Sequence, residues 1–168
     1  MQAIDPRRLI MAASCIAVAL SFTTAPVAAS PKMPTSAMMV PINGIMAAEN
    51  ANNPAMMKKF YTSSPVIIDE FAPYRWSGPN AVATYSADFG AFLAIGKDTQ
   101  VHGTFADPSY FDATTNRVEI IMPTTFTFSM AGRPAADSGL WTFVLVENGG
   151  SWKAESSAWA ITQLTTEH

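Results

Sequence analysis

The chemistry in this sequence concentrates in one stretch, "SSPVIIDEFAPYRWSGPNAV", Ser63 to Val82. An apolar run, Val66-Ile67-Ile68, ends on Asp69 and Glu70, and Phe71, Tyr74, Trp76 and Tyr85 follow closely. A carboxylate at a strand end among aromatic rings is partly stripped of water. That penalises its charged form, raises its pKa toward working pH and makes Asp69 a candidate general base. The ordinary use of such an aspartate is to cap a turn. Glu70, next along, falls on the opposite face by strand alternation and is expected in solvent. His102, in "DTQVHGT", is the one histidine besides the C-terminal His168. An imidazole exchanges protons near neutral pH, so His102 is the second catalytic candidate.

The rings are the third feature. Tyr74, Trp76, Tyr85, Tyr110, Trp141 and Trp159 combine apolar faces with a hydroxyl or indole N–H, and are candidate ligand-binding residues for a small apolar or aromatic molecule. Phe89, Phe126 and Phe128 read as core. Six methionines lie between Met33 and Met57. Clustered thioethers can hold Cu(I), but no histidine accompanies these, and packing is the expected role. There is no Gly-rich phosphate loop and no nucleophile elbow. No metal and no cofactor are expected.

The elements that position these residues follow from periodicity. "INGIMAAENA" carries Ile42, Ile45, Met46 and Ala48 at helical spacing. Asn53-Pro54 starts a second short helix. "PVIIDEF" is a strand, and "APYRWSGP" a loop or brief return strand. "AVATYSADFGAFLAIG" is a helix after Asn80, stopped at Gly96. From Asp98 onward the pattern is strands: "TQVHGTFADPSYFDAT" as one long strand or a bulged pair, then "RVEIIMPTTFTFSMAG" with Val118, Ile120, Met122, Thr124, Phe126, Phe128 and Met130 on one face. "SGLWTFVLV", an "ENGGS" turn and "WKAESSAWAITQL" close the chain as a hairpin. Helices followed by a meander predict an α+β fold with a mostly antiparallel sheet.

Hydrophobic residues make up 49% of the 168 and charged residues 14%, a globular composition with room for one domain. The net charge is -3 and the 10 Lys and Arg form no basic stripe, so nucleic acid is not an expected partner. Arg7-Arg8, the apolar run Leu9–Phe22 and "TTAPVAAS" read as a signal peptide, residues 1–29, cut after Ala29. The run is shorter than the ~20 residues of a membrane span, so an uncleaved anchor is the lesser reading and no membrane contact is expected after cleavage. Export to the periplasm or beyond is expected, by the general or the twin-arginine route. Cys15, the sole cysteine, lies inside the apolar run, so the mature chain has no thiol chemistry. Residues 30–41 read as a flexible leader, and 42–168 as the domain.

Taken together, "NNPAMMKKFYTSSPVIIDEF", "WSGPNAV", "LWTFVL" and "GGSWKAESSAWA" resemble the SnoaL-like, ketosteroid-isomerase-like group, which has the nuclear transport factor two-like fold. The resemblance spans about residues 35 to 163. It implies a strongly curved sheet with helices packed on its concave face, forming a cone around a pocket. In ketosteroid-isomerase-like enzymes an aspartate at the Asp69 position is the base. Their oxyanion-hole tyrosine and acid are not matched, since Ile45 and Trp141-Thr142-Phe143 stand there. Scytalone-dehydratase-like members pair the aspartate with two strand histidines. His102 resembles the first, and Thr124 stands at the second, as a polar pocket residue. The resemblance implies a small-molecule-binding domain and, if an enzyme, an isomerase or dehydratase acting on a small ring or carbonyl compound with Asp69 and His102. It equally implies a non-catalytic ligand-binding or dimerisation module, with Leu140, Val144 and Ala158 on an open sheet face. The two readings part on whether Asp69 and His102 converge on one cavity.

Overall fold

The structure, a computed structural model, describes residues 33–166. The stretch read as a signal peptide lies outside these residues. Helix α1 runs Ser36–Asn50, α2 Pro54–Met57 and α3 Ala81–Gly96. The strands are β1 Tyr61–Ile68, β2 Arg75–Ser77, β3 Asp98–Phe105, β4 Tyr110–Ala113, β5 Arg117–Met130, β6 Arg133–Asn148 and β7 Ser151–Thr166. They form one sheet in the order β2-β1-β7-β6-β5-β3, with β4 also pairing β5. Only the β1–β7 pair is parallel. This is the expected α+β architecture, a curled open sheet with helices over its concave face.

Helix α1 begins inside the stretch expected to be a flexible leader. Thr35 caps it, and Met38 and Pro41 are buried with Ile42, Ile45 and Met46 on one helical face. A proline inside a helix costs about 3 kcal/mol, but burying that stripe against the sheet offsets it. Residues 36–41 are therefore part of the folded domain and not of a leader. Asn53 accepts from the Met56 N–H and Pro54 opens α2, as expected. At the end of α3 it is Lys97, not Gly96, that takes the left-handed conformation. Gly96 serves close approach instead: a Cβ there would lie 2.4 Å from Asp98 Oδ2.

The inner face of the sheet is continuous. Val118, Ile120, Met122 and Thr124 of β5 stand opposite Leu145, Phe143, Trp141 and Gly139 of β6, and all eight are buried, Gly139 leaving room for the Trp159 ring. Phe126, Phe128 and Met130 continue that face past the core, as the alternation predicts. Ile42 and Ile45 of α1 join Phe143, Leu145 and Ile120 in the fully buried centre. Leu140 is exposed on the outer face, with Val144 and Ala158 half-buried on the same side. No helix of the described residues is long and apolar enough to cross a membrane.

A bulge in β3 decides where His102 points. Thr99 pairs with Ser129 and His102 with Thr127, so three steps on β3 match two on β5. The extra residue is at Gln100, whose φ is 58°. Without it, alternation from the inward Asp98 would turn His102 inward; with it, Val101 faces in and His102 faces out.

One polar clamp ties α1 to this bulged edge. The Asn50 side chain donates to the Gly103 carbonyl at 3.0 Å and accepts its N–H at 2.6 Å. Asn50→Ala leaves both backbone groups of Gly103 unpaired there. It is expected to cost about 1–3 kcal/mol, read from urea unfolding with an unchanged denaturant slope.

Candidate functional site

The wide end of the cone holds a cavity of about 420 Å³ between α1, α3 and the inner sheet face. One wall is aromatic: Phe71, Tyr85, Phe89 and Phe92 on the α3 side, Phe126, Trp141 and Trp159 on the sheet side. Phe71 is the hub of the first group, with ring centroids 5.0 Å from Trp76, 5.7 Å from Phe89 and 4.9 Å from Phe92.

Asp69 enters this cavity because of strand parity. Ile67 is an inward, buried residue of β1, Ile68 is outward, and Asp69 is the next inward position just past the strand end. Its Oδ1 accepts the Glu70 N–H at 2.7 Å, and its Oδ2 accepts from the Tyr85 hydroxyl at 3.0 Å. The same hydroxyl is 2.9 Å from Glu49 Oε1. A phenol has a single proton to donate. Both contacts are met either by one shared O–H or by a protonated carboxyl that donates to the Tyr85 oxygen. Glu49, Tyr85 and Asp69 thus form one chain of polar groups around a single phenolic oxygen.

The electrostatics favour the protonated forms. Burial, above all, pushes the Glu49 carboxyl up to about 8; the Tyr85 hydrogen bond opposes this and the Asp69 charge adds to it. Burial likewise pushes Asp69 up to about 7, against the stabilising bonds from the Glu70 N–H and Tyr85 and with a contribution from the Glu70 charge. Burial thus favours a proton on this carboxyl pair near neutral pH, with both groups held well above the ordinary carboxyl range. Tyr85 is raised by burial and by the two carboxylates, so it stays a phenol. Trp76 braces the arrangement. Its indole N–H donates to Asp88 Oδ2 at 2.7 Å and its ring meets Tyr85 edge-on at 5.1 Å.

The expected site residues divide as follows. Asp69, Tyr85, Trp141 and Trp159 line the cavity. Trp76 is buried behind it. Thr124 is buried beneath it, its hydroxyl donating to the Met122 carbonyl at 2.9 Å. His102, Tyr74 and Tyr110 are corrected: His102 is exposed on the outer face, and Tyr74 and Tyr110 are 61% and 46% exposed, away from the cavity. The Asp69–His102 pair does not form. Glu70 is also corrected. Backbone pairing ends with the Asp69 N–H on the Tyr74 carbonyl, so alternation no longer applies beyond it and Glu70 turns into the cavity, where burial raises its pKa first and Asp137 second. Sequence reasoning missed Glu49, although it sits on the buried stripe of α1 four residues after Ile45. It also missed Asp98 and Asp137. Asp137 is two residues before Gly139 and four before Trp141, on the inward parity of β6. Among the described residues no group of three or more His, Cys, Asp or Glu side chains is placed to hold a metal ion.

No family model matches the chain, and no curated protein matches it in sequence. Solved structures do match. A hexachlorocyclohexane dehydrochlorinase (LinA) type 2 superposes with a TM-score of 0.67 at 8% identity, over 79% of this chain and 87% of that one. LinA type 3 from Novosphingobium barchaimii LL02 gives 0.67 at 8%, over 78% and 88%. A ketosteroid isomerase-like protein from Erwinia carotovora atroseptica SCRI1043 gives 0.62 at 14%, over 76% and 95%. The likeness is one of fold: the chain has the cone of the nuclear transport factor two-like fold.

The raised carboxyls have a consequence for stability. Between the unfolded values near 4 and the folded values of about 7 and 8, the native state binds more protons than the unfolded one. Stability therefore falls as pH rises through that window. Glu70, Asp98 and Asp137 are raised too and act in the same sense. The melting temperature is expected to drop by roughly 5 °C or more between pH 5 and pH 8.5. The Glu49→Gln/Asp69→Asn double variant flattens the curve in calorimetric scans.

Proposed function

We propose that this chain binds a small organic molecule in the cone and performs cofactor-free acid–base chemistry on it, with Asp69 as the base. The Asp69–Tyr85–Glu49 chain opening onto an apolar cavity carries this reading. A base that titrates near neutrality is half available at working pH and still basic enough to remove a proton from carbon. Tyr85 orients the Asp69 carboxylate and disperses part of its charge. Glu49, raised by burial, limits the negative charge the pair carries and is linked to Asp69 through the Tyr85 oxygen. A proton taken by Asp69 from a carbon beside an electron-withdrawing group can be returned elsewhere, an isomerisation. Loss of a leaving group from the adjacent carbon makes the step an elimination. The names of the dehydrochlorinase and isomerase-like structures of this fold support that class. His102 has no part in it. The N-terminal pattern through Ala29 supports export, which we include in the proposal.

A nitrobenzisoxazole tests the base directly. Removal of its ring C–H proton breaks the N–O bond and releases a coloured phenolate, with no other group required. The wild-type rate is expected to climb with pH through about 7. Asp69→Asn lowers kcat/KM by about 100-fold or more, while His102→Ala leaves it unchanged. A wild-type rate no higher than that of Asp69→Asn would sink the reading.

A second reading rests on the outer face of β5, β6 and β7. There Leu140 is exposed between Pro123 and Ala160, its register neighbours, a flat apolar strip suited to a second copy of the chain. Light scattering is expected to give a dimer mass that Leu140→Glu converts to the monomer; a wild-type monomer removes this reading.

A further inference from the structure

The cavity is apolar in area yet acidic in every charge it contains. Glu49, Asp69, Glu70, Asp98 and Asp137 line it, and among the described residues no Lys, Arg or His does. They come from four separate places: α1, the two residues that follow β1, the start of β3, and the first half of β6. Among the described residues, four buried side-chain polar atoms have no hydrogen-bond partner. They are Glu49 Oε2, Glu70 Oε2, Asp98 Oδ1 and Asp137 Oδ1, all carboxylate oxygens of this one cavity. Unpaired buried acceptors are costly, and native structures keep them where something else completes them.

The rings give a second, independent observation. Phe126, Trp141 and Trp159 stand mutually inclined. Phe126 meets Trp159 edge-on at 5.3 Å and 89°, Trp141 meets Trp159 at 6.5 Å and 74°, and Phe126 and Trp141 are tilted at 6.0 Å. Packed at these distances, the three rings form one aromatic wall of the cavity. Their negative faces attract a diffuse cation, most of all a substituted ammonium. A compact metal ion does not fit the carboxylates, which are too dispersed to converge as ligands. A neutral ring compound would leave the orphan oxygens unanswered.

We propose that the cavity takes an organic cation, a protonated or quaternary amine carried on an apolar, ring-sized body. The ammonium sits against the Trp141–Trp159–Phe126 wall beside Glu70 and Asp137, and the apolar body lies along Phe71, Phe89 and Phe92. This rests on the reading of the cavity as a ligand site but does not require catalysis. It names the charge of the ligand, which the base chemistry leaves open.

A matched pair of probes tests it on the full-length chain. Phenyltrimethylammonium and tert-butylbenzene have the same shape and differ in charge. Binding is read by quenching of tryptophan fluorescence and by calorimetry, with 4-tert-butylbenzoate as the anionic control. The cation is expected to bind about tenfold or more tighter than the neutral isostere, and the benzoate not at all. Glu70→Gln, which keeps the backbone N–H that bonds Asp69, and Asp137→Asn, both isosteric, are expected to shrink that preference to within about threefold while leaving tert-butylbenzene binding unchanged. Equal affinities, or a preference for the neutral probe, would overturn the cation proposal and leave the ligand-site reading standing. An intact preference in both variants would overturn the placement of the ammonium. Failure of all three probes to bind would remove the ligand-site reading with it.

Discussion

One hydroxyl holds the site together. Tyr85 reaches Asp69 at 3.0 Å and Glu49 at 2.9 Å, and so joins α3, the end of β1 and the last turn of α1 at a single oxygen. Two carboxylates at these positions would repel each other in a medium poor in water. With a proton on the pair and a phenol in the middle, that repulsion is relieved. The relation of the three elements is thus coupled to the protonation of the site. Around it the structure supplies rigidity: Trp76 is pinned to Asp88, Phe71 packs on four rings, and Asn50, beside Glu49, is locked to Gly103.

The division of the cone into a dry closed end and an acidic open end follows from the same sheet. Toward the β5–β6 ends nearest Val118 and Leu145 the inner face is aliphatic and fully buried, and α1 covers it. Along the same strands toward Met130 and Asp137 the side chains remain inward but lose their cover, and the cavity opens. The packed end provides the stabilisation that lets the other end keep buried carboxyls without counter-charges. Sites of this kind commonly cost stability, and here the cost grows as the carboxyls ionise. Where acids outnumber their hydrogen bonds inside an aromatic enclosure, the environment favours whatever brings positive charge into it.

Much of the fold was legible. The stripe Ile42-Ile45-Met46, the Asn53-Pro54 start, the alternation from Val118 to Met130 and the Asn148-Gly149-Gly150 turn are local signals, set by periodicity and by backbone preferences that act within a few residues. Asp69 was legible for the same reason, since its inward placement follows from strand parity after Ile67. The leader was misread because proline normally marks irregular chain, and only contact with the sheet makes it worthwhile for Pro41 to lie in a helix.

What the sequence by itself determined is the kind of protein: an α+β cone with an acid among rings at its wide end. What the tertiary structure decided is the company that acid keeps. A single extra residue at Gln100 turned His102 outward, because strand parity has a period of two and one insertion reverses it. The end of pairing at Asp69 released Glu70 into the cavity, and the curl of the sheet carried Asp137 and Asp98 to the same space from strands distant in sequence. Glu49 met Asp69 only because α1 crosses the concave face at the height where Tyr85 stands. Side-chain parity is local and can be read along the chain; which inward residues share one cavity depends on bulges, strand ends and curvature, which the packing of the whole sheet sets.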